Sequence, residues 1–196
     1  MCHAPDEIDG DVGRATAEAV QQGRVAITAH GVGERVVRQL TDAGLDIIDT
    51  TCPIVTRAQR YGQKFVRDGW HVIVFGDRGH KEVRGIMGWT FDANGTSHAT
   101  IFERADYDYL KEQVDSFPGG FPSKIGVMVQ TTHRMEDFGR FVSNLMLLQR
   151  DRNFEFHIVN TLCHATTGQQ EAAAALARQV DVMVVVGGKK SANTRN

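Results

Sequence analysis

Two segments of the chain repeat the same order of a strand pattern, a cysteine, a helix pattern and a later glycine. Apolar β-branched runs lead to Cys52 and to Cys163, and helical periodicity follows each cysteine. Gly76 lies 24 positions after Cys52, and Gly187 lies 24 positions after Cys163. A duplicated strand-helix-strand unit restricts the chain to the α/β class.

The repeat continues beyond the two glycines with polar residues. His80 and Ser191 each lie 28 positions after their cysteine, and Glu82 and Asn193 each lie 30 positions after it. Because ligands bind at the carboxyl ends of parallel strands, both copies are predicted to present a thiol and polar groups at one sheet edge.

Strand and helix patterns alternate along the rest of the chain. Strands are predicted at 23–31, 45–52, 70–77, 124–132, 155–163 and 181–188. Helices are predicted at 34–44, 53–69, 135–148 and 166–180. Residues 114–124 form a turn-rich connector. Continuous apolar strands that alternate with helices predict parallel sheets covered by helices.

Composition excludes several classes of protein. The 196 residues are 41% hydrophobic and 23% charged, enough for a buried core in one or two globular units. A net charge of -2 provides no basic field, so nucleic acid is not an expected partner. No apolar run approaches the roughly 18 residues of a membrane span, and the first residues are acidic. We therefore expect a cytoplasmic protein with no membrane partner.

The chain has three cysteines, an odd number that does not suggest a disulfide framework. A thiol at a strand end beside the first turn of a helix feels the positive end of the helix dipole, which favours the metal-binding thiolate. With no closely spaced cysteine pair, a shared cluster fits better than a zinc ribbon. The alternative is that each cysteine is a small buried hydrophobe.

Six segments resemble the successive signatures of one family. They are TAHGV (28–32), DTTCPIVTR (49–57), GDRGHKEVRG (76–85), VQTTHRMED (129–137), LCHATTGQQEA (162–172) and GGKKSANTRN (187–196). In order and spacing they are similar to the 4-hydroxy-3-methylbut-2-enyl diphosphate reductase (IspH/LytB) family of the non-mevalonate isoprenoid pathway. The resemblance covers the chain from about residue 20 to its end.

The resemblance implies a trefoil-like arrangement of small parallel-sheet α/β units around a central iron-sulfur site. The resemblance predicts that residues 1–52 are part of the first unit, that 53–162 are the complete second unit and that 163–196 begin the third. We expect the chain to be shorter than the family's full length at both ends.

The resemblance also implies a 4Fe-4S cluster as cofactor. Cys52 and Cys163 match two of the family's three cluster ligands. Cys2 lacks the preceding strand and the following glycine of the family's first ligand motif, so the third ligand stays unassigned.

Substrate contacts carry over to individual residues in the same way. Four residues match positions that contact the diphosphate: His30, His80, Ser191 and Asn193. Glu82 matches the proton donor, and Thr131 matches a hydroxyl group that hydrogen-bonds the substrate alcohol. Taken alone, His30 could cap a strand end, Glu82 could lie in a surface turn and Thr131 could be a helix N-cap. Five other histidines match no ligand position and are interpreted as packing or surface residues: His71, His98, His133, His157 and His164.

The implied activity is reductive dehydroxylation of (E)-4-hydroxy-3-methylbut-2-enyl diphosphate to isopentenyl and dimethylallyl diphosphate. Ferredoxin or flavodoxin is the expected electron donor, since the chain has no glycine fingerprint for a bound nicotinamide or flavin. Two alternatives remain: a non-catalytic α/β diphosphate-binding or interaction module, and a structural zinc-binding protein.

Overall fold

The computed structural model describes residues 23–150, 152–188 and 194. Three residues named above lie outside the described residues: Cys2, Ser191 and Asn193. The strands are β1 (Arg24–Ile27), β2 (Asp46–Asp49), β3 (His71–Phe75), β4 (Ala99–Phe102), β5 (Lys124–Val129) and β6 (Glu155–Val159). The helices are α1 (Glu34–Asp42), α2 (Pro53–Arg67), α3 (Lys81–Met87), α4 (Tyr107–Asp115), α5 (Met135–Gln149) and α6 (His164–Ala177).

All strand pairs in the described residues are parallel. β1 and β2 form one small sheet, and the other four strands form a sheet in the order β4-β3-β5-β6. Phe75 at the end of β3 is in register with Phe102 of β4 and Val129 of β5, so these strands end at one edge. The predicted α/β class with parallel sheets is confirmed.

Helices cover both faces of the four-stranded sheet. On one face Phe141 and Leu145 of α5 pack with Phe75, and the rings of Phe75 and Phe141 stack with centroids 4.5 Å apart. On the other face Phe65 of α2 packs with Ile86 of α3. Each fully buried side chain of this size stabilises the fold by roughly 1.5–3 kcal/mol before entropy losses are counted. The sheet is thereby held rigidly enough to fix groups at its carboxyl edge.

All four strands of the larger sheet fall within 53–162, the range assigned to the second unit. The exact bounds of the three units, and their trefoil arrangement, stay predictions. The sequence patterns indicated no element for α3, β4 or α4, which the structure places between Lys81 and Asp115. None of the described helices has both the length and the apolar character required to cross a membrane.

The strand predicted at 181–188 is wrong. These residues form no strand, and the valines within it are largely exposed, with Val186 91% and Val184 80% accessible. β-branched residues favour extended backbone, but a strand also requires a neighbouring ladder. No other described strand lies beside this segment, so its backbone has no ladder partner among the described residues.

Candidate functional site

Each of the two cysteines is the N-cap residue of a long helix and follows a strand end. Cys52 precedes α2, and Cys163 precedes α6. The backbone N–H of Cys52 donates to the carbonyl of Ala29 at 3.1 Å, and that of Cys163 donates to the carbonyl of Thr131 at 2.8 Å. Each acceptor lies two residues beyond the end of the neighbouring parallel strand. The two cysteines are therefore held by the same backbone bond in both copies of the repeat.

Both thiols are free and half-buried. A hydrogen bond from the backbone N–H of Thr166 lowers the pKa of the Cys163 thiol, while partial burial and the negative charge of Glu82 oppose that shift. Two thiols at helix N-termini suit soft metals or an iron-sulfur cluster. The donor set among the described residues thus fits two of the three cysteine ligands that the resemblance implies.

Glu82 is the most unusual side chain of the site. Its exposure is 1%, although it carries a carboxyl group, and its partner Thr131 is 4% exposed. The backbone N–H of Thr131 donates to Oε1 at 2.6 Å, and the Thr131 hydroxyl donates to Oε2 at 2.8 Å. Burial raises the pKa of Glu82, and the two hydrogen bonds from Thr131 oppose this rise. A carboxyl group with a raised pKa keeps its proton at higher pH than an exposed one and can deliver it to a bound substrate.

His80 lies directly before α3 and is its N-cap residue. Its Nδ1 accepts the backbone N–H of Glu82 at 3.3 Å. Because Nδ1 accepts, the neutral ring carries its proton on Nε2, which can donate to an anion. The ring of His30 meets that of His80 edge-on with centroids 5.4 Å apart. Two imidazoles and the buried carboxyl therefore lie along one end of α3.

The turn that carries His30 is fixed by a glycine and two neighbouring helices. Gly31 has φ +66° and its N–H donates to the carbonyl of Thr28 at 2.9 Å. A Cβ at Gly31 would lie 2.5 Å from Nε2 of Gln59, a buried residue of α2. A Cβ at Gly85 of α3 would lie 3.4 Å from the His30 carbonyl. The small size of both glycines lets helix and turn approach closely.

The loop between β3 and α3 is organised by Gln130, which the sequence analysis missed. Gln130 is 1% exposed, and its Oε1 accepts the backbone N–H of Asp77 at 3.0 Å. A Cβ on Gly76 would lie 2.9 Å from Cβ of Gln130 and 3.0 Å from Cγ2 of Val83. Glycine at the repeat position 76 is therefore required by packing, and no sequence signal pointed to Gln130 as the reason.

The structure joins five predicted site residues through direct contacts. The chain of contacts runs through His30, His80, Glu82, Thr131 and Cys163. Cys52 joins through its bond to Ala29, the neighbour of His30. Within the described ranges, however, no three metal-ligating side chains form a group that could hold a metal ion.

The simpler interpretations of two residues are wrong. Thr131 is not a helix N-cap, since α5 is capped at Arg134. Glu82 does not lie in a surface turn, because it is buried. The other histidines behave as predicted where ring contacts define them: His133 packs 4.6 Å from Phe75 and His157 packs 5.4 Å from Phe65.

A comparison with models of known protein families shows to which family the chain belongs. The family model described as LytB protein matches residues 3–196, nearly the whole chain. The chain belongs to the LytB family. Its membership agrees with the six motifs and with the geometry above.

Curated relatives of this LytB-family chain carry the name 4-hydroxy-3-methylbut-2-enyl diphosphate reductase. The protein of Dehalococcoides mccartyi is 41% identical over 172 residues, covering 88% of this chain and 56% of the relative. That of Campylobacter fetus is 34% identical, covering 91% of this chain and 58% of the relative. The chain thus spans about half the length of the curated relatives it matches.

Solved structures agree with the LytB assignment. The structure of (E)-4-hydroxy-3-methyl-but-2-enyl diphosphate reductase, described as the terminal enzyme of the non-mevalonate pathway, is 31% identical with a TM-score of 0.62, covering 88% of this chain and 56% of that one. The Plasmodium falciparum E-1-hydroxy-2-methyl-but-2-enyl-4-diphosphate reductase is 26% identical with a TM-score of 0.73, covering 91% and 52%.

Proposed function

We propose that this chain carries the proton-donating half of the active site of a 4-hydroxy-3-methylbut-2-enyl diphosphate reductase. The observation that supports this most strongly is the buried Glu82 carboxyl, held by two bonds from Thr131, whose carbonyl in turn holds Cys163. A buried carboxyl with a raised pKa that is connected in this way to the backbone of a cysteine is expected where proton and electron delivery meet.

The proposed cofactor is a 4Fe-4S cluster, with Cys52 and Cys163 as two of its ligands. When bound, the cluster would supply electrons singly and a Lewis-acidic iron for the substrate hydroxyl. The third ligand is not assigned, since the described residues offer no further cysteine.

The proposed substrate is the allylic diphosphate named for the relatives. Nε2 of His80 and the ring of His30 would donate to the diphosphate oxygens, and the predicted contacts of Ser191 and Asn193 would add to them. Glu82 would give its proton to the hydroxyl oxygen, which leaves as water while the carbon-oxygen bond breaks. Two electrons and a second proton reduce the resulting allyl group, so charge and atoms balance.

The proposed electron donor is a small acidic carrier such as ferredoxin or flavodoxin. A cavity of about 660 Å³ opens beside Cys52, between its neighbours Thr51 and Pro53 and the basic face of α2. Arg57 and Arg60 line it, together with Lys64, which also pairs with Asp68. Cations near a redox centre steer an acidic partner to it.

Charge reversal of Arg57 and Arg60 tests this surface. It should slow cluster reduction by ferredoxin and leave reduction by dithionite unchanged. Arg35→Glu, on the exposed face of α1, is the control.

Anaerobic reconstitution with iron and sulfide tests the cluster. The wild-type chain should bind both and show broad visible absorbance, and Cys52→Ser or Cys163→Ser should each reduce the bound iron. Cys2→Ser is the control, since Cys2 matches no ligand motif. Equal iron content in all three variants would exclude the proposed ligands. Binding of zinc in place of iron by anaerobically purified protein would favour the zinc alternative.

Titration with inorganic pyrophosphate tests the anion site separately. His80→Ala should weaken binding about tenfold, the effect of one charge-assisted hydrogen bond of roughly 1.5 kcal/mol. His98→Ala is the matched control, because the His98 side chain pairs with Asp92 in the segment between α3 and β4. Pyrophosphate binding without iron binding would favour the non-catalytic module, and no binding by the wild-type chain would contradict both diphosphate functions.

A further inference from the structure

The two cysteine turns share more than the backbone bond described above. Thr50 lies two residues before Cys52, and Thr161 lies two residues before Cys163. The Thr50 hydroxyl donates to the carbonyl of Ile27 at 2.6 Å, and the Thr161 hydroxyl donates to the carbonyl of Val129. Ile27 and Val129 are the last residues of β1 and β5, the strands that pair with β2 and β6.

Each threonine is the middle residue of an Asx turn. Oδ1 of Asp49 accepts the backbone N–H of Thr51 at 2.9 Å, and Oδ1 of Asn160 accepts that of Leu162 at 3.0 Å. Such a side chain turns the backbone sharply at the end of a strand. Each copy therefore leaves its own sheet through the same kind of turn, with an acid or amide, a threonine, any residue and then the cysteine.

We propose that Thr50 and Thr161 are positioning residues, each of which fixes one thiol to the end of the neighbouring strand. In the first copy the Ile27 carbonyl accepts both the hydroxyl and the backbone N–H of Thr50, the latter at 2.8 Å, and in the second copy the Val129 carbonyl accepts the hydroxyl of Thr161. The cysteine N–H then makes the next bond two residues further along the same neighbouring segment. The side chain of each threonine thus sets where the following thiol lies.

In the second copy the same bond also positions the proton donor. Thr161 is 1% exposed, and it both donates to the Val129 carbonyl and accepts the Val129 N–H at 3.0 Å. Val129 and Thr131 are two residues apart, and Thr131 holds Glu82. Thr161 therefore fixes the segment that brings Cys163 and Glu82 together. The assignment of these thiols to iron rests on the proposed function, but the positioning itself does not.

Alkylation of the metal-free chain tests the positioning for each thiol separately. Iodoacetamide is used at one pH, and mass spectrometry of the separated peptides gives a rate for each cysteine. Thr161→Val should raise the rate at Cys163 about fivefold by loosening its turn and leave Cys52 unchanged. Thr50→Val should do the reverse. A general loss of stability would raise both rates together, so this selectivity distinguishes positioning from a merely structural role.

Serine variants are the matched controls. Thr161→Ser and Thr50→Ser keep the hydroxyl, so both should alkylate at rates close to wild type. Equal changes at both thiols, no change at either, or serine variants that behave like the valine variants would overturn the proposal. If Thr161→Val fails to fold, Thr50→Val decides the outcome alone, because Thr50 is exposed and tolerates the change better. Selective alkylation without iron binding would retain the positioning and reject the proposed cluster.

Discussion

The carbonyl of Thr131 accepts the backbone N–H of Cys163 at 2.8 Å, while the N–H and hydroxyl of Thr131 both donate to Glu82. Three polar groups of one residue thus connect a buried carboxyl to the backbone of a cysteine. Because backbone bonds fix distances more tightly than flexible side chains do, a shift of β5 would move both groups together. The site is organised around the end of this strand.

Thr131→Val should lower the free energy of unfolding by about 1–3 kcal/mol, because it removes the hydroxyl donor to a buried carboxylate. The loss should grow as pH rises, since the missing bond stabilises the ionised form and the pKa of Glu82 is already raised. Urea denaturation of wild type and variant at pH 5 and pH 8 measures both effects. Thr131→Ser, which keeps the hydroxyl, should behave like the wild type, and an equal loss at both pH values would contradict this role.

Glu82→Gln should change how stability depends on pH. In the wild type, the raised pKa of Glu82 means that the folded chain keeps a proton that the unfolded chain loses near its ordinary value of 4.5. The contribution of Glu82 to stability should therefore fall as pH rises from about 4.5 through the raised pKa, by about 1.4 kcal/mol for each pKa unit that separates the folded and unfolded chains. The glutamine variant lacks this loss, so its stability relative to wild type should increase from pH 4 to pH 8.

Glu112→Gln is the control for the pH series, because Glu112 lies exposed on α4. Its stability should follow that of the wild type across the whole range. A stability difference that shifts in favour of the wild type over Glu82→Gln across the same interval would show that the Thr131 bonds outweigh burial.

The sequence predicted the fold class and the strand-cysteine-helix part of the repeat well, because both depend on local patterns. The strand ends before Cys52 and Cys163, and the helices after them, follow from periodicity and helix propensity. The contact between Glu82 and Thr131 depends on the register of β3 against β5, where Phe75 pairs with Val129, and the patterns of the two segments do not determine it. The roles of Glu82 and Thr131 were predicted from the resemblance to the family, and not from the strand and helix patterns.

The other features that the sequence did not predict also depend on contacts between segments that are distant along the chain. Residues 181–188 have strong strand propensity, but a strand forms only where another one accepts its backbone bonds, and the patterns could not show whether one does. Gln130 carried no signal because its role depends on the close approach of Gly76. By contrast, the threonine two residues before each cysteine was visible in the repeat and could have been noticed.

Gly76→Ala should destabilise the chain by about 1–3 kcal/mol through overpacking. The added Cβ would meet Cβ of Gln130 at 2.9 Å, and Gln130 cannot move without losing its bond to Asp77. Gly139→Ala is the matched control: Gly139 lies within α5, and a Cβ there would meet nothing within 4 Å, so alanine should stabilise by about 0.5–1 kcal/mol. Urea midpoints measure both, and a Gly76→Ala variant as stable as wild type would contradict the packing role.

The exposed valines of 181–188 should promote self-association of the chain. Val184 and Val186 are 80% and 91% accessible, and an apolar segment without a ladder partner in the described part of the chain can pair with another copy. Replacing both with lysine should reduce association at rising protein concentration, measured by light scattering, and change the free energy of unfolding by no more than about 0.5 kcal/mol. Val127→Ala, at a fully buried position of β5, should instead cost about 2 kcal/mol because it leaves a cavity. Lysine variants that unfold as readily as Val127→Ala would show that this segment packs against the rest of the chain.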